Sequence, residues 1–369
     1  MTGVQTCALP IYTGFSLVSG RLTDSLGPRR VIGLGGVLLG IGIMATSQIS
    51  AQWQLYFFYG LVAALGMSTA YIPCNMTVVR WFHEKRGLAL GVASCGASCG
   101  ILVMPMLASY IIEHAGWRTG LLVLGAGLFI VINIAAHFMV RSPEVLGLSP
   151  DGATASPSSG VPDAVAGADD LPGWTLIEAR ATITLWMFLF AFAIVLLTVT
   201  VPFVHIPNFA RDIGLSATGG AFAISITGLF ALLGSITLGA LSDRIGRKRA
   251  MVFALCLQVA AFLIFLGADS AAALYFGAAA FGFFYGGIAS LFPAFVGDLF
   301  GREHAGAIGG FIFGGAGILG AWGPAVAGYL RDTEGDYRFT FTLCALSALC
   351  ALLLFLFLPG PRSQSRSRP

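Results

Sequence analysis

The residues that could do chemistry are few, and they occupy two kinds of place. The first is a charged loop that occurs twice. Gly20-Arg-Leu-Thr-Asp24-Ser-Leu-Gly27-Pro-Arg29-Arg30 matches Gly239-Ala-Leu-Ser-Asp243-Arg-Ile-Gly246-Arg-Lys248-Arg249 as G-x-L-[ST]-D-x-x-G-x-[RK]-R, at an offset of 219 residues. Each copy offers a carboxylate able to accept hydrogen bonds at a helix end or to pair with Arg. Gly20 and Gly239 permit close helix approach, and Gly27 and Gly246 suit a tight turn. Arg29, Arg30, Arg247, Lys248 and Arg249 anchor the loop at a charged face. Such a set makes and breaks no covalent bond; it suits a latch between helices that opens and re-forms.

The second kind of place is the interior of apolar stretches. Tyr71 and Asn75 stand one helical turn apart, as do Asn133 and His137. His205 and Asn208 close another stretch, and Gln258, Tyr285 and Ser290 lie in later ones. Imidazole takes up a proton near neutral pH, so His205 is a candidate for a proton path. Tyr71, Asn75, Asn208 and Tyr285 are candidates for contact with a small solute, although each would also serve to bond helix to helix. No nucleophile motif and no paired carboxylate at depth supports an enzyme, and no cofactor is expected. Cys95 and Cys99 have no two further ligands to make a metal site, and the cysteines of the apolar stretches read as small packing residues.

The elements that must position these residues follow from composition. Hydrophobic residues make up 57% of the 369 positions and charged residues 10%, with a mean hydropathy of +0.86. That is too little charge to wet the surface of a water-soluble protein, for which about 25% is usual. Lipid is the remaining solvent. The net charge of +3 is spread over short clusters and does not point to nucleic acid.

Charge-poor stretches predict ten full spans, over 31–49, 55–79, 88–112, 119–140, 181–206, 217–241, 251–266, 271–297, 305–330 and 339–358. A shorter stretch, 12–20, reads as the end of a further span. Threading the chain through them puts sixteen of the 20 Lys and Arg on one side and four on the other, so the repeated loops are expected to face the cytoplasm. Residues 142–180, rich in Pro, Gly, Ser and Asp, form a linker on that side between a first transmembrane half (12–141) and a second (181–358). Residues 359–369 form a basic tail. Residues 1–11 differ in style from the rest of the chain and are expected to be a non-native joint, with no signal peptide.

Small residues at intervals of four mark close helix contacts: Gly306, Gly310 and Gly314 in one stretch, Gly96 and Gly100 in another. Pro105, Pro293 and Pro324 each remove a backbone hydrogen bond and loosen their helices locally. Trp53, Tyr56 and Tyr59 suit an aromatic belt at the membrane boundary.

The repeated loop resembles the one found between the second and third, and the eighth and ninth, helices of the major facilitator superfamily. The segments Arg80-Trp-Phe-His-Glu-Lys85-Arg86-Gly-Leu-Ala-Leu-Gly91 and Gly301 to Asp332 are similar to helices five and eleven of its monocarboxylate transporter and oxalate/formate exchanger branch. The resemblance implies an all-α polytopic protein of two six-helix halves, the first lacking helix one and part of helix two. It implies a secondary active transporter that moves a small organic solute by alternating access, with a monocarboxylate or related organic anion as substrate and a proton as potential co-substrate. The partners expected are that solute, the proton and the bilayer of a bacterial inner (plasma) membrane, for a monomer. One feature of the sequence opposes a carboxylate: no Lys or Arg stands at mid-depth of a span, where an anion carrier would place one. An exporter of drugs or neutral metabolites is therefore the alternative, and a membrane-embedded enzyme a remote one.

Overall fold

In lipid, a long apolar segment can satisfy its own N–H and C=O groups only as a helix or in a closed barrel, and the apolar segments among the described residues are helical. The structure, a computed structural model, describes residues 2–82, 85–148 and 174–358, and contains no strand among them. His83 and Glu84 of the helix-five-like segment, most of the expected linker, and the tail lie outside the described residues.

In chain order the helices are α1 (Thr2–Leu26), α2 (Pro28–Thr46), α3 (Gln52–Trp81), α4 (Arg86–His137), a short α5 (Leu176–Arg180), α6 (Ile183–Asp212), α7 (Ala217–Ile245), α8 (Arg247–Leu266), α9 (Ala271–Phe300), α10 (Ala305–Gly320), α11 (Gly323–Glu334) and α12 (Arg338–Phe357). By length and composition they supply ten spans, with two in α4 and one shared by α10 and α11.

Three features depart from the sequence expectations. The two spans of α4 have no loop between them: the helix reverses at Gly116 alone, whose φ of 78° and ψ of 159° no side-chain-bearing residue adopts readily. In α3 the segment Tyr56–Ala63 is a π-helix. The expected span over 305–330 is broken at Ala321 and Trp322. Pro324, which has no N–H to continue the ladder, opens α11 instead.

The core sits in the second repeat. Its fully buried large side chains are nearly all phenylalanines of α6, α8, α9 and α12, among them Phe188, Phe262, Phe281, Phe292 and Phe355. α9 is its axis, with 72% of its span window buried against 17% for the second arm of α4. Backbone-close packing holds α9 to α7, where a Cβ on Gly282 or Gly286 would strike the backbone of Thr227 or Ala231. Across the two repeats, α1 lies along α10, and the first arm of α4 lies along α7.

Candidate functional site

The repeated loop works first through its glycines. On α1, a Cβ at Gly20 would overlap the carbonyl of Gly306 and come within 3.3 Å of the Gly310 Cα. The ridge continues along α10, where Gly310 abuts the Ser16 carbonyl, Gly314 the Thr13 carbonyl, and Gly317 the Thr13 side chain. Because the backbones touch, Asp24, one turn beyond Gly20, reaches the first turn of α10. Its Oδ2 accepts from the Ala307 N–H at 2.7 Å. The other oxygen is ion-paired with the Arg80 guanidinium from the last turn of α3. Arg80 also donates to the Glu303 carbonyl at 3.2 Å. A carboxylate at a helix N-terminus satisfies an otherwise orphaned N–H and the positive end of the helix dipole.

The second copy is built the same way. Gly239 meets the Gly87 carbonyl, and Gly91 the Ser235 carbonyl. Asp243 accepts from the Gly87 and Leu88 N–H groups, each at 2.9 Å, at the start of α4. Its cation is local: Arg247 stands 2.6 Å away. Arg247 also approaches Asp298 of α9 at 3.5 Å, and Asp298 pairs with Arg86 at 2.5 Å. Four alternating charges therefore join α7, α8, α9 and α4.

The turns behind both carboxylates are alike. Gly27 (φ 85°, ψ 156°) and Gly246 (φ 90°, ψ 148°) adopt one conformation, which is confined to glycine and lets one helix end and the next begin within a residue. The basic residues divide by position. Arg29 donates to His137 at 2.7 Å, at the end of α4, and Lys248 donates to the Leu356 and Leu358 carbonyls at 2.8 and 2.6 Å, at the end of α12. Each staples its loop to the last helix of its own repeat. Arg30 and Arg249 are exposed.

Sequence reasoning did not single out Arg80, Arg86, Asp298, Gly87 or Gly91 as site residues. A signal was present: Gly87 and Gly91 precede Gly306 and Gly310 by the same 219 residues that separate the loops. Conversely, the packing expected of Gly96 and Gly100 is not found, since a Cβ at either would have nothing within 4 Å. The seam of α4 on α7 instead runs through Gly87, Gly91 and Leu102, the last against Gly228.

The deeper polar residues separate into two groups. Tyr71 donates its hydroxyl to the Ala289 carbonyl at 2.8 Å, from α3 to α9, and its ring lies 4.8 Å from that of Phe313. Tyr12, on α1, meets the same Phe313 edge-on. Tyr285 packs against Phe203 and stands one helical turn before Ala289, the residue whose carbonyl Tyr71 bonds. Asn75 donates to the Tyr71 carbonyl at 2.8 Å, and its buried Oδ1 has no protein partner. The structure thus gathers Tyr71, Asn75 and Tyr285, and adds Tyr12, where the repeats meet.

His205 and Asn208 do not join them. His205 lies between the Pro324 carbonyl and the Tyr337 hydroxyl, 3.0 Å from each, and Asn208 stands one turn further along the same helix. Pro324 thus contributes a carbonyl acceptor as well as a helix break. Asn133 bonds within its own helix, while Gln258 and Ser290 tie α8 to α6 and α9 to α7. Among the described residues every Arg and Lys lies near a helix end or beside the reversal at Gly116, so the tyrosine cluster has phenolic donors and no cation.

Comparison with known proteins accounts for this arrangement. The sequence profile of the Major Facilitator Superfamily matches residues 4–209 and again 187–369. The chain is 27% identical to monocarboxylate transporter 12-B of Danio rerio, over 90% of this chain and 73% of that protein. It is 26% identical to monocarboxylate transporter 11 of Homo sapiens, over 96% and 74%. Its fold is similar to that of the Escherichia coli fucose:proton symporter FucP (TM-score 0.69, 15% identity, 96% and 91% covered). It is also similar to that of the human organic anion transporter MFSD10 (TM-score 0.72, 19% identity, 96% and 83% covered). Two copies of one carboxylate-bearing loop stand on ten helices long and apolar enough to cross a membrane, and the profile matches the chain twice over: the chain belongs to the major facilitator superfamily.

Proposed function

We propose that this transporter moves a small organic anion, a monocarboxylate foremost, by alternating access. The observation that carries the reading is the run of relatives named monocarboxylate transporters 11, 12 and 13, each similar over most of this chain. The tyrosine cluster is compatible with it. Phenol hydroxyls of Tyr12 and Tyr285 can donate to a carboxylate, the Tyr71 hydrogen being held by the Ala289 carbonyl, and Asn75 Oδ1 can accept from a hydroxyl substituent beside it. With no cation in the cluster, an anion would cross an apolar interior uncompensated, at a cost of several kcal/mol. Carrying a proton with it removes that cost, which favours symport.

In this reading the two repeats rock as bodies about the tyrosine cluster. The seams of α1 on α10 and of α4 on α7 close the basic end, and the latches break when it opens. The basic end faces the cytoplasm, placing the linker, with most of the Lys and Arg, on that side.

The test is uptake of radiolabelled lactate, formate and oxalate by proteoliposomes holding the purified chain, with and without an imposed proton gradient. Gradient-stimulated uptake of at least one is expected. Uptake of none, together with export of neutral or cationic compounds, would replace this reading with that of a drug or metabolite exporter.

A further inference from the structure

His205 is buried, with 4% of its surface exposed, and both its ring nitrogens are engaged. The two partners differ in kind. The Pro324 carbonyl can only accept, so Nε2 must carry a hydrogen. A neutral ring then leaves Nδ1 as its one basic lone pair, and that atom faces the Tyr337 hydroxyl at 3.0 Å. A phenol can donate or accept. When His205 is neutral, Tyr337 donates to Nδ1; when His205 is charged, Nδ1–H donates to the Tyr337 oxygen and the phenolic hydrogen turns away from the ring. Both ring nitrogens of His205 therefore keep a partner in either charge state without moving a helix. A histidine that served only to tie helices together would need no partner able to reverse.

The surroundings provide an approach for the proton. Asn208 is exposed, and Tyr337 lines a cleft of about 530 Å³ at the end of the bundle away from the latches, with Asp212 and Asp336. The charged groups facing His205 are Arg331 and Asp332, both from α11. Arg331 is held by Asp212 of α6 at 3.1 Å, which limits its repulsion of a charged imidazole. The position matters for the motion as well. Pro324 lies just past the break at Ala321 and Trp322, where the part of the span that runs along α1 gives way to α11. Beyond the break the chain packs on α6, since Gly323 abuts the Leu197 carbonyl.

We infer that His205 is the proton-accepting residue of this transporter, loaded through Tyr337 from the end opposite the latches. In the loading step a proton from cleft water is taken by the Tyr337 oxygen as the phenolic hydrogen passes to Nδ1. Tyr337 stays neutral and His205 gains one positive charge. The charged ring donates more strongly to Pro324, fixing α11 to α6 at the break and so biasing how α10 sits on α1. This inference rests on the proton symport proposed above.

The closing experiment reads the proton directly. Solid-state NMR of the histidine-labelled chain in bilayers, with His205→Gln to identify the signals, is expected to show Nδ1 becoming protonated between about pH 8 and 5 while Nε2 keeps its hydrogen. Tyr337→Phe removes the reversible partner and is expected to displace the midpoint by about one pH unit, the worth of one charge-assisted hydrogen bond. A His205 that stays neutral throughout, or a midpoint indifferent to Tyr337→Phe, overturns the inference. In uptake assays His205→Gln should flatten the pH profile, whereas loss of a merely structural histidine lowers the rate at every pH and keeps its shape. If wild-type chain carries no carboxylate, the substrate reading fails, and the NMR titration alone decides this one.

Discussion

The two proposed latches share a sequence, yet they distribute charge differently. At the first, Asp24 is the only carboxylate among the described residues that is ion-paired with Arg80, which is 7% exposed, and it caps α10 through a single N–H. At the second, Asp243 caps α4 through two N–H groups, and its Arg247 is shared with Asp298, which also holds Arg86. The first is a two-body contact at which one carboxylate joins three helices. The second is a chain in which each charge has a neighbour on either side or a backbone to hold. Removing one member of a buried pair leaves its partner uncompensated, whereas removing one member of a chain leaves the others something to bond. A duplicated motif thus gives one brittle contact and one redundant one.

The strongest way to break the comparison is to deny both seams their approach. Gly306→Val and Gly87→Val each place a side chain against the opposing carboxylate loop. Both are expected to abolish uptake in proteoliposomes, equally, because backbone contact is common to the two seams. A tolerated valine at either position would show that its seam does not close during transport.

Next come the carboxylates, where the latches should part. Asp24→Asn is expected to weaken the closed basic end by on the order of 3–5 kcal/mol, since it leaves the Arg80 charge buried. Asp243→Asn should cost about 1–2 kcal/mol, because Arg247 keeps Asp298. Spin-label distances across the basic end, and thermal unfolding in detergent, measure the difference. Equal effects would mean that the latches are energetically alike despite their wiring.

A double-mutant cycle sharpens the same point. Coupling between Asp24 and Arg80 should reach about 2–3 kcal/mol, and coupling between Asp243 and Arg247 about half that. The staples should matter least. Lys248→Gln, which removes a cation from the carbonyl end of α12, is expected to lower stability by about 0.5–1 kcal/mol and leave basic-end distances unchanged. A change in those distances would make Lys248 part of the latch itself.

Much of this is legible in the chain before it folds. The spans follow from runs of apolar residues too long for anything but lipid. The latch carboxylates follow from spacing, since Asp24 and Asp243 each stand four residues beyond a glycine and three before another. Their partners are not legible from the loop pattern. Arg80 is 56 residues from Asp24, and Ala307 is 283 residues away. Gly96 and Gly100 show the limit from the other side. Their spacing is that of a packing ridge, but a ridge needs a second helix turned toward it, and periodicity does not report which face meets a neighbour. His205 is similar: the sequence offers a titratable ring near a span's end, and the Pro324 carbonyl and Tyr337 hydroxyl that restrict it come from α11 and the turn before α12.

The sequence by itself determined the solvent, the number of spans, the charged end and the place of each latch carboxylate. All of these depend on composition and local spacing, which a chain carries wherever it folds. The tertiary structure decided which cation each carboxylate holds, which glycine ridge is used and which tyrosines converge. Those depend on how helices hundreds of residues apart cross, and small residues only allow such crossings without dictating them. The same loop, placed against α10 in one repeat and α4 in the other, therefore acquired two different electrostatic circuits.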